Sequence, residues 1–209
     1  MSQQLFICSV SPFLLQQIEL EGVVALEIFE EADEDFELDD YVDDLELEFS
    51  ENLRPNINTI VQEGVACNAQ ETIEIQGSFA DAIHMLLIGN TDADTLTGRT
   101  IPDTLVTEEF VNDKTWQLAN ALVGLNKVTD ADDYVASYLL PHEVQQISVA
   151  LNTISHDDLN ERIEALGLND LNLSNAERAE AKEFISEELQ SIYATATDKG
   201  YGILISWSI

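Results

Sequence analysis

Basic residues are scarce in this chain of 209 residues, where eight Lys and Arg stand against 41 Asp and Glu and the formal net charge is −33. So few cations, scattered along the sequence, cannot build a track for a phosphate backbone. The overall negative field also repels nucleic acid. The composition therefore argues against a protein that binds DNA or RNA directly.

Long apolar runs and cysteines are also missing. No stretch approaches the ~20 consecutive apolar residues that a membrane helix needs, and the N-terminus lacks the basic start and apolar core of a signal peptide. Cys8 and Cys67 are the only cysteines, too few for a disulfide framework, and their apolar neighbours indicate small buried thiols. We therefore expect a cytoplasmic protein with reduced thiols and no membrane association.

Motifs that carry chemistry are absent. The sequence contains no Cys-x-x-Cys, no His-Glu-x-x-His, no Gly-x-Ser-x-Gly and no glycine-rich phosphate loop. Of the three histidines, His84 lies within an apolar helical pattern and is expected to pack in the core. His142 and His156 fall in the first turns of predicted helices, where surface or capping roles are commoner. We therefore predict no catalytic residues and a protein that is not an enzyme.

One acidic pattern resembles a metal site without completing it. Asn90-x-Asp92-x-Asp94 matches the start of a calcium loop, but Thr95 and Ile101 stand where the loop requires Gly and Glu. A capped, solvated turn explains these residues better. The sequence thus predicts no metal site and no cofactor.

Acidic residues are concentrated in one segment, residues 19–51. It holds sixteen carboxylates and no Lys or Arg, about half of the net charge in about one sixth of the chain. Apolar residues recur in it with helical spacing, at Leu38, Tyr41, Val42, Leu45 and Phe49. This stripe predicts an anchored helix that presents its carboxylates as an ordered surface, although residues 45–49 also alternate as a strand would.

Crowded carboxylates attract basic surfaces over about one Debye length, ~8 Å at physiological salt. The residues predicted to bind a partner lie in the middle of the run: Asp33, Glu34, Asp35, Glu37, Asp39, Asp40, Asp43 and Asp44. The favoured function is a non-catalytic inhibitor of a basic protein that handles nucleic acid, such as a nuclease toxin or a DNA-binding protein. Such an inhibitor would be a toxin immunity protein or a DNA mimic. Two alternatives stay open: acidity that serves solubility or salt tolerance, and an enzyme with an unrecognised site.

Apolar periodicity predicts an α+β fold, with residues 1–209 as a single domain. β-Branched apolar runs predict strands at 5–10 and 201–207, and their positions suggest one small sheet that contains both terminal strands. Several α-helices are expected to pack on it, starting near Pro12, Ser78, Thr115, Pro141, Asp157 and Ser174. Gly167 is predicted to end one of them, and residues 52–70 are predicted as a connection with a short helical piece.

Four stretches resemble, in the same order, a bacterial family of unknown function, the YfbM-like proteins. They are residues 6–12, 79–89, 118–124 with 133–144, and 193–205. The resemblance extends over about residues 5–20 and 75–207; it implies a compact α+β domain and supplies no reaction. Ser137 stands where the family usually has an arginine before Tyr-Leu, and His142 replaces an acidic residue.

Overall fold

The computed structural model describes residues 4–32, 53–68, 73–89, 114–131, 134–170 and 173–208. Within these ranges the strands are β1 (Gln4–Val10), β2 (Ile73–Gln76), β3 (Asn126–Ala131), β4 (Tyr134–Leu139) and β5 (Gly202–Ser208). They form one antiparallel sheet in the order β2-β1-β5-β4-β3. The two terminal strands lie in one sheet, as the sequence predicts, and they pair with each other along their whole length.

One face of the sheet is covered by helices from the first third of the chain. They are α1 (Pro12–Glu21), α2 (Val23–Glu30) and α3 (Ile57–Asn68), with a 3₁₀ turn at Arg54–Asn56 before α3. The Ser11 hydroxyl caps α1 by accepting a hydrogen bond from the Leu14 amide at 3.2 Å. This first helix layer buries alternate strand residues, among them Cys8, Tyr138 and Leu204.

The other face carries the helices from the rest of the chain. They are α4 (Gly77–Ile88), α5 (Lys114–Ala119), α6 (Pro141–Leu151), α7 (His156–Asp170), α8 (Asn175–Glu183) and α9 (Gln190–Lys199), with a π-helical stretch at Phe184–Leu189 joining the last two. They bury the opposite set of strand residues, including Ile7, Leu139 and Ile205. The α+β class is confirmed, and both faces of the sheet are covered.

Two sequence predictions were wrong in detail, and one pair of strands was not predicted. Residues 52–70 contain a twelve-residue helix, α3, where only a short helical piece was expected. Helix α7 continues through Gly167 to Asp170, because the packing of Leu166 (6% exposed) outweighs the low helix propensity of glycine. The hairpin of β3 and β4 was not predicted, since the edge strand β3 carries several polar residues and a register shift between Lys127 and Thr129.

Candidate functional site

The eight carboxylates predicted to bind a partner lie outside the residues that the structure describes. The same holds for the apolar stripe from Leu38 to Phe49 and for the Asn90–Asp94 pattern. The structure does describe the residues on either side of 33–52. Ala32 is 1% exposed and Leu53 is 0% exposed, and Leu53 packs in the first helix layer. The residues that flank 33–52 in the sequence are therefore both buried.

Helices α2 and α3 approach each other very closely near Ala32. A Cβ atom on Gly64 of α3 would lie 2.3 Å from the Phe29 carbonyl oxygen and 2.6 Å from the Ala32 Cβ. Only glycine fits such a contact without moving one of the helices. Ala32, within the acidic run, is thus packed directly against α3.

Two carboxylates of the acidic run contact tyrosines of β4. The Tyr134 hydroxyl lies 2.6 Å from each carboxylate oxygen of Glu30, and the Ser206 side chain hydrogen-bonds to the same pair. The Tyr138 hydroxyl lies 3.2 Å from Oε1 of Glu19. These contacts fix α1 and α2 on the sheet, so Glu19 and Glu30 have a structural role that the sequence did not indicate.

Burial shifts the pKa values of Glu30, Tyr134 and Tyr138. It raises the pKa of Glu30, although the hydrogen bonds from Tyr134 and Ser206 act in the opposite direction. Burial, with the nearby Glu30 charge, also raises the Tyr134 pKa. Burial and Glu19 raise the pKa of Tyr138 to about 12. The tyrosines therefore remain neutral hydrogen-bond donors at any physiological pH.

Glu30→Gln should change how stability depends on pH. The raised folded-state pKa of Glu30 means that the folded protein binds this proton more readily than the unfolded chain. Its contribution to the free energy of unfolding is therefore lost as the pH rises through the folded pKa. Gln mimics the protonated acid, so the variant should exceed wild type by about 1 kcal/mol at pH 7 and lose this advantage as the pH falls toward the ordinary carboxyl pKa.

Urea unfolding between about pH 4.5 and pH 8 tests this prediction. The control is Glu164→Gln, at an exposed position of the opposite helix layer, because the charge of Glu31 itself helps to raise the Glu30 pKa. Burial also raises the pKa of Glu143, so a residual pH dependence of the same sign should persist in both variants. Parallel profiles for wild type and Glu30→Gln would contradict the assignment.

A groove of about 270 Å³ lies at the end of β1, between α3 and the α9–β5 turn. Its polar lining includes the Ser11 hydroxyl, which donates a 2.6 Å hydrogen bond to Glu63, and Lys199, whose ammonium lies 5.7 Å from the centre of the Tyr201 ring. Cys67 also lines it. No histidine is among the described residues that line this groove.

The two cysteines, one on β1 and the other on α3, are in contact with each other. Cys8 is 0% exposed on β1, whereas Cys67 is half-buried on α3 rather than buried as predicted. Their side chains hydrogen-bond, and this contact, together with burial, holds the pKa of the Cys8 thiol well above its ordinary value. The sequence could not reveal the contact, because it joins residues from distant elements.

The histidines do not assemble a site in the described part of the chain. His84 is 1% exposed on α4, as expected for a packing residue, and it does not line the groove. His142 and His156 are exposed at helix starts. Within the described ranges, no three His, Cys, Asp or Glu side chains are grouped so that they could hold a metal ion.

The block that resembles the family around residues 133–144 has structural contacts. The Glu143 carboxylate accepts hydrogen bonds from the Leu140 amide at 2.7 Å and from the Asn126 side chain at 2.8 Å. Ser137, in the place of the family's arginine, is 1% exposed, and its hydroxyl donates to the Val123 carbonyl. Gly124 packs against Ser137 so closely that a Cβ atom on Gly124 would lie 2.3 Å from the Ser137 hydroxyl oxygen. Position 137 therefore has space for a small side chain only.

No helix in the described ranges combines the length and the apolar character needed to cross a membrane.

None of the curated proteins matches the chain. The crystal structure of YfbM from Escherichia coli, a protein of unknown function, is similar to the chain over 99% of both, with a TM-score of 0.52 and 13% identity, which shows the fold alone. The family model of DUF1877, a domain of unknown function, matches residues 13–206. The chain therefore belongs to the DUF1877 family and is a YfbM-like domain.

Proposed function

We propose that the protein is a non-catalytic, cytoplasmic bacterial binding protein that inhibits a basic partner which handles nucleic acid. It would act as a toxin immunity protein or a DNA mimic. The observation that carries this proposal is the run of sixteen carboxylates without a cation in residues 19–51. A dense row of carboxylates can occupy the basic groove in which a nuclease or a DNA-binding protein holds phosphates.

The attachment of the run to the fold supports a binding role. Its first part is fixed to β4 through Glu19 and Glu30, and buried residues, Ala32 and Leu53, flank residues 33–52, which hold most of its carboxylates. A segment that is fixed at both ends has fewer conformations to lose on binding than a free tail. More of the electrostatic attraction then remains as affinity.

Basic side chains are too few to offset the field, since eight Lys and Arg in the whole chain stand against 41 Asp and Glu. Arg162 donates to the carbonyls of Leu86 and Leu87, and Arg178 donates to the Leu173 carbonyl, so both guanidinium groups point to backbone oxygens. The carboxylates of α7 and α8, by contrast, are mostly exposed. A basic partner would therefore be attracted from a distance, with association rates up to ~10⁸–10⁹ M⁻¹s⁻¹ at low salt.

Removing four charges from the acidic run should slow association. The test variant carries Asn at Asp39, Asp40, Asp43 and Asp44; the control carries Gln at four exposed carboxylates of the opposite helix layer, Glu161, Glu164, Glu180 and Glu183. Both variants lose the same charge. If the run is the binding surface, the test variant should associate with a basic partner about ten-fold or more slowly at low salt and with a weaker salt dependence.

The partner is a basic protein recovered on the immobilised chain and then purified, and the rates are measured by stopped-flow fluorescence from about 50 to 500 mM NaCl. Inhibition of nucleic-acid cleavage or binding by this partner is the second readout. Equal rates for both variants would make the run an ordinary solvated surface that serves solubility or salt tolerance. A micromolar, salt-sensitive complex of the chain with DNA would also contradict the proposal.

A further inference from the structure

We propose that Cys8 and Cys67 are a redox pair in which a hydroperoxide oxidises Cys67 from the groove and Cys8 then closes a reversible disulfide. The proposal concerns a modification site and does not depend on the proposed partner. It starts from two thiols that are in contact while only one of them is accessible.

The geometry separates the two roles. Cys67 lies at the end of α3, is half-buried and lines the groove beside Ser9 and Val10, the two residues that follow Cys8 on β1. Cys8 is 0% exposed, and its side chain hydrogen-bonds to Cys67. Both thiols pack against the same apolar cluster of the first helix layer. An oxidant in the groove can therefore reach Cys67, whereas Cys8 is sealed from solvent.

The chemistry balances in two steps. In the first, the Cys67 sulfur attacks one oxygen of the peroxide; an S–O bond forms, the O–O bond breaks, and the leaving oxygen takes the thiol proton to give water or an alcohol. In the second, the Cys8 sulfur attacks the Cys67 sulfur; the S–S bond forms, and the S–O bond breaks to release water with the Cys8 proton. The two thiols together supply the two electrons that reduce the peroxide.

Charges around the pair make this a slow reaction. The charge of Glu30 disfavours the thiolate of Cys8, and Glu63 lines the groove with Cys67. Lys199 lines the same groove and opposes them. This balance fits a thiol that responds to accumulated peroxide more than one that removes peroxide quickly. A disulfide that forms transiently is also the usual kind in a reducing compartment.

The disulfide would constrain the part of the chain that contains the acidic run. The chain between Cys8 and Cys67 contains all of residues 19–51, so the bond would close this whole region into a loop and tie α3 to β1. Closing a loop of this length restricts the unfolded chain. We expect the melting temperature of the oxidised protein to rise on the order of 10 °C above that of the reduced protein.

The experiment treats the reduced full chain with hydrogen peroxide and then counts free thiols after denaturation. We expect both thiols to disappear, a peptide that joins Cys8 to Cys67 within one chain, the rise in melting temperature, and full reversal by dithiothreitol. Cys8→Ser should accumulate a dimedone-reactive sulfenic acid on Cys67, whereas Cys67→Ser should leave the sealed Cys8 unreacted.

Two outcomes would overturn the proposal. One is a folded wild-type chain that keeps both thiols at a peroxide excess that oxidises a free cysteine; the other is a disulfide found only between chains. Both are read from wild-type protein, so they stand even if a variant fails to fold.

Discussion

Gly64→Ala should lower the free energy of unfolding by about 2–3 kcal/mol, although alanine is the better helix former. In an ordinary helix interior this exchange stabilises by roughly 0.5–1 kcal/mol. Here the new methyl would lie 2.3 Å from the Phe29 carbonyl oxygen and 2.6 Å from the Ala32 Cβ. Both contacts belong to α2 and the residues that follow it, so α2 must move away from α3 and leave part of their interface unpacked.

The control is Gly22→Ala, at the junction of α1 and α2. Gly22 has φ 63° and ψ −131°, a backbone conformation that residues with a side chain rarely adopt, and no atom beyond its two chain neighbours lies within 4 Å of the place that an alanine methyl would occupy. Its replacement therefore adds backbone strain of about 1–3 kcal/mol without a collision. Urea unfolding followed by circular dichroism gives both values, with unchanged slopes expected. If Gly64→Ala were as stable as wild type, the close α2–α3 contact would be wrong.

The terminal strands could be predicted because their information is local and repeated. Leu5 to Val10 and Ile203 to Trp207 are apolar runs with β-branched residues, and both are buried in the structure. Capping signals were equally informative: Ser174 accepts from the Glu177 amide and Glu177 accepts from the Ser174 amide, the reciprocal pattern that the sequence predicts. Such features need only a few neighbouring residues.

The missed features depend on residues that are distant in sequence. The Glu30–Tyr134 contact and the Cys8–Cys67 contact join elements that come together only through the sheet order. Nothing near Glu30 distinguishes it from the other carboxylates of the run, although a tyrosine of a central strand requires a polar partner once it is buried. Gly64 likewise lies in a stretch that was predicted as a connection, because a close contact between two helices leaves no pattern in a single sequence.

The melting temperature should rise with NaCl up to about 1 M, by on the order of 10 °C, because the Debye length falls to ~3 Å and screens repulsion among the carboxylates. The first helix layer gives a specific reason. Helix α2 ends with Glu27 and Glu30, followed by Glu31, and it has no basic residue in its last turn. Helix α1 ends in the same way, with Glu19 and Glu21. These charges adjoin the negative ends of the helix dipoles, which disfavours folding at low salt.

Two comparisons separate this screening from general salting-out. Sulfate strengthens apolar burial more than chloride does at equal ionic strength, so the screening part is the rise that both salts share. Glu31→Lys should flatten that shared part and raise the melting temperature at low salt, because it places a cation at the negative end of α2. Its control, Glu164→Lys on the exposed face of α7, makes the same charge change away from these helix ends. Equal effects of the two lysines would assign the salt dependence to net charge alone, and a melting temperature that is flat in NaCl would show that the carboxylates are already compensated within the fold.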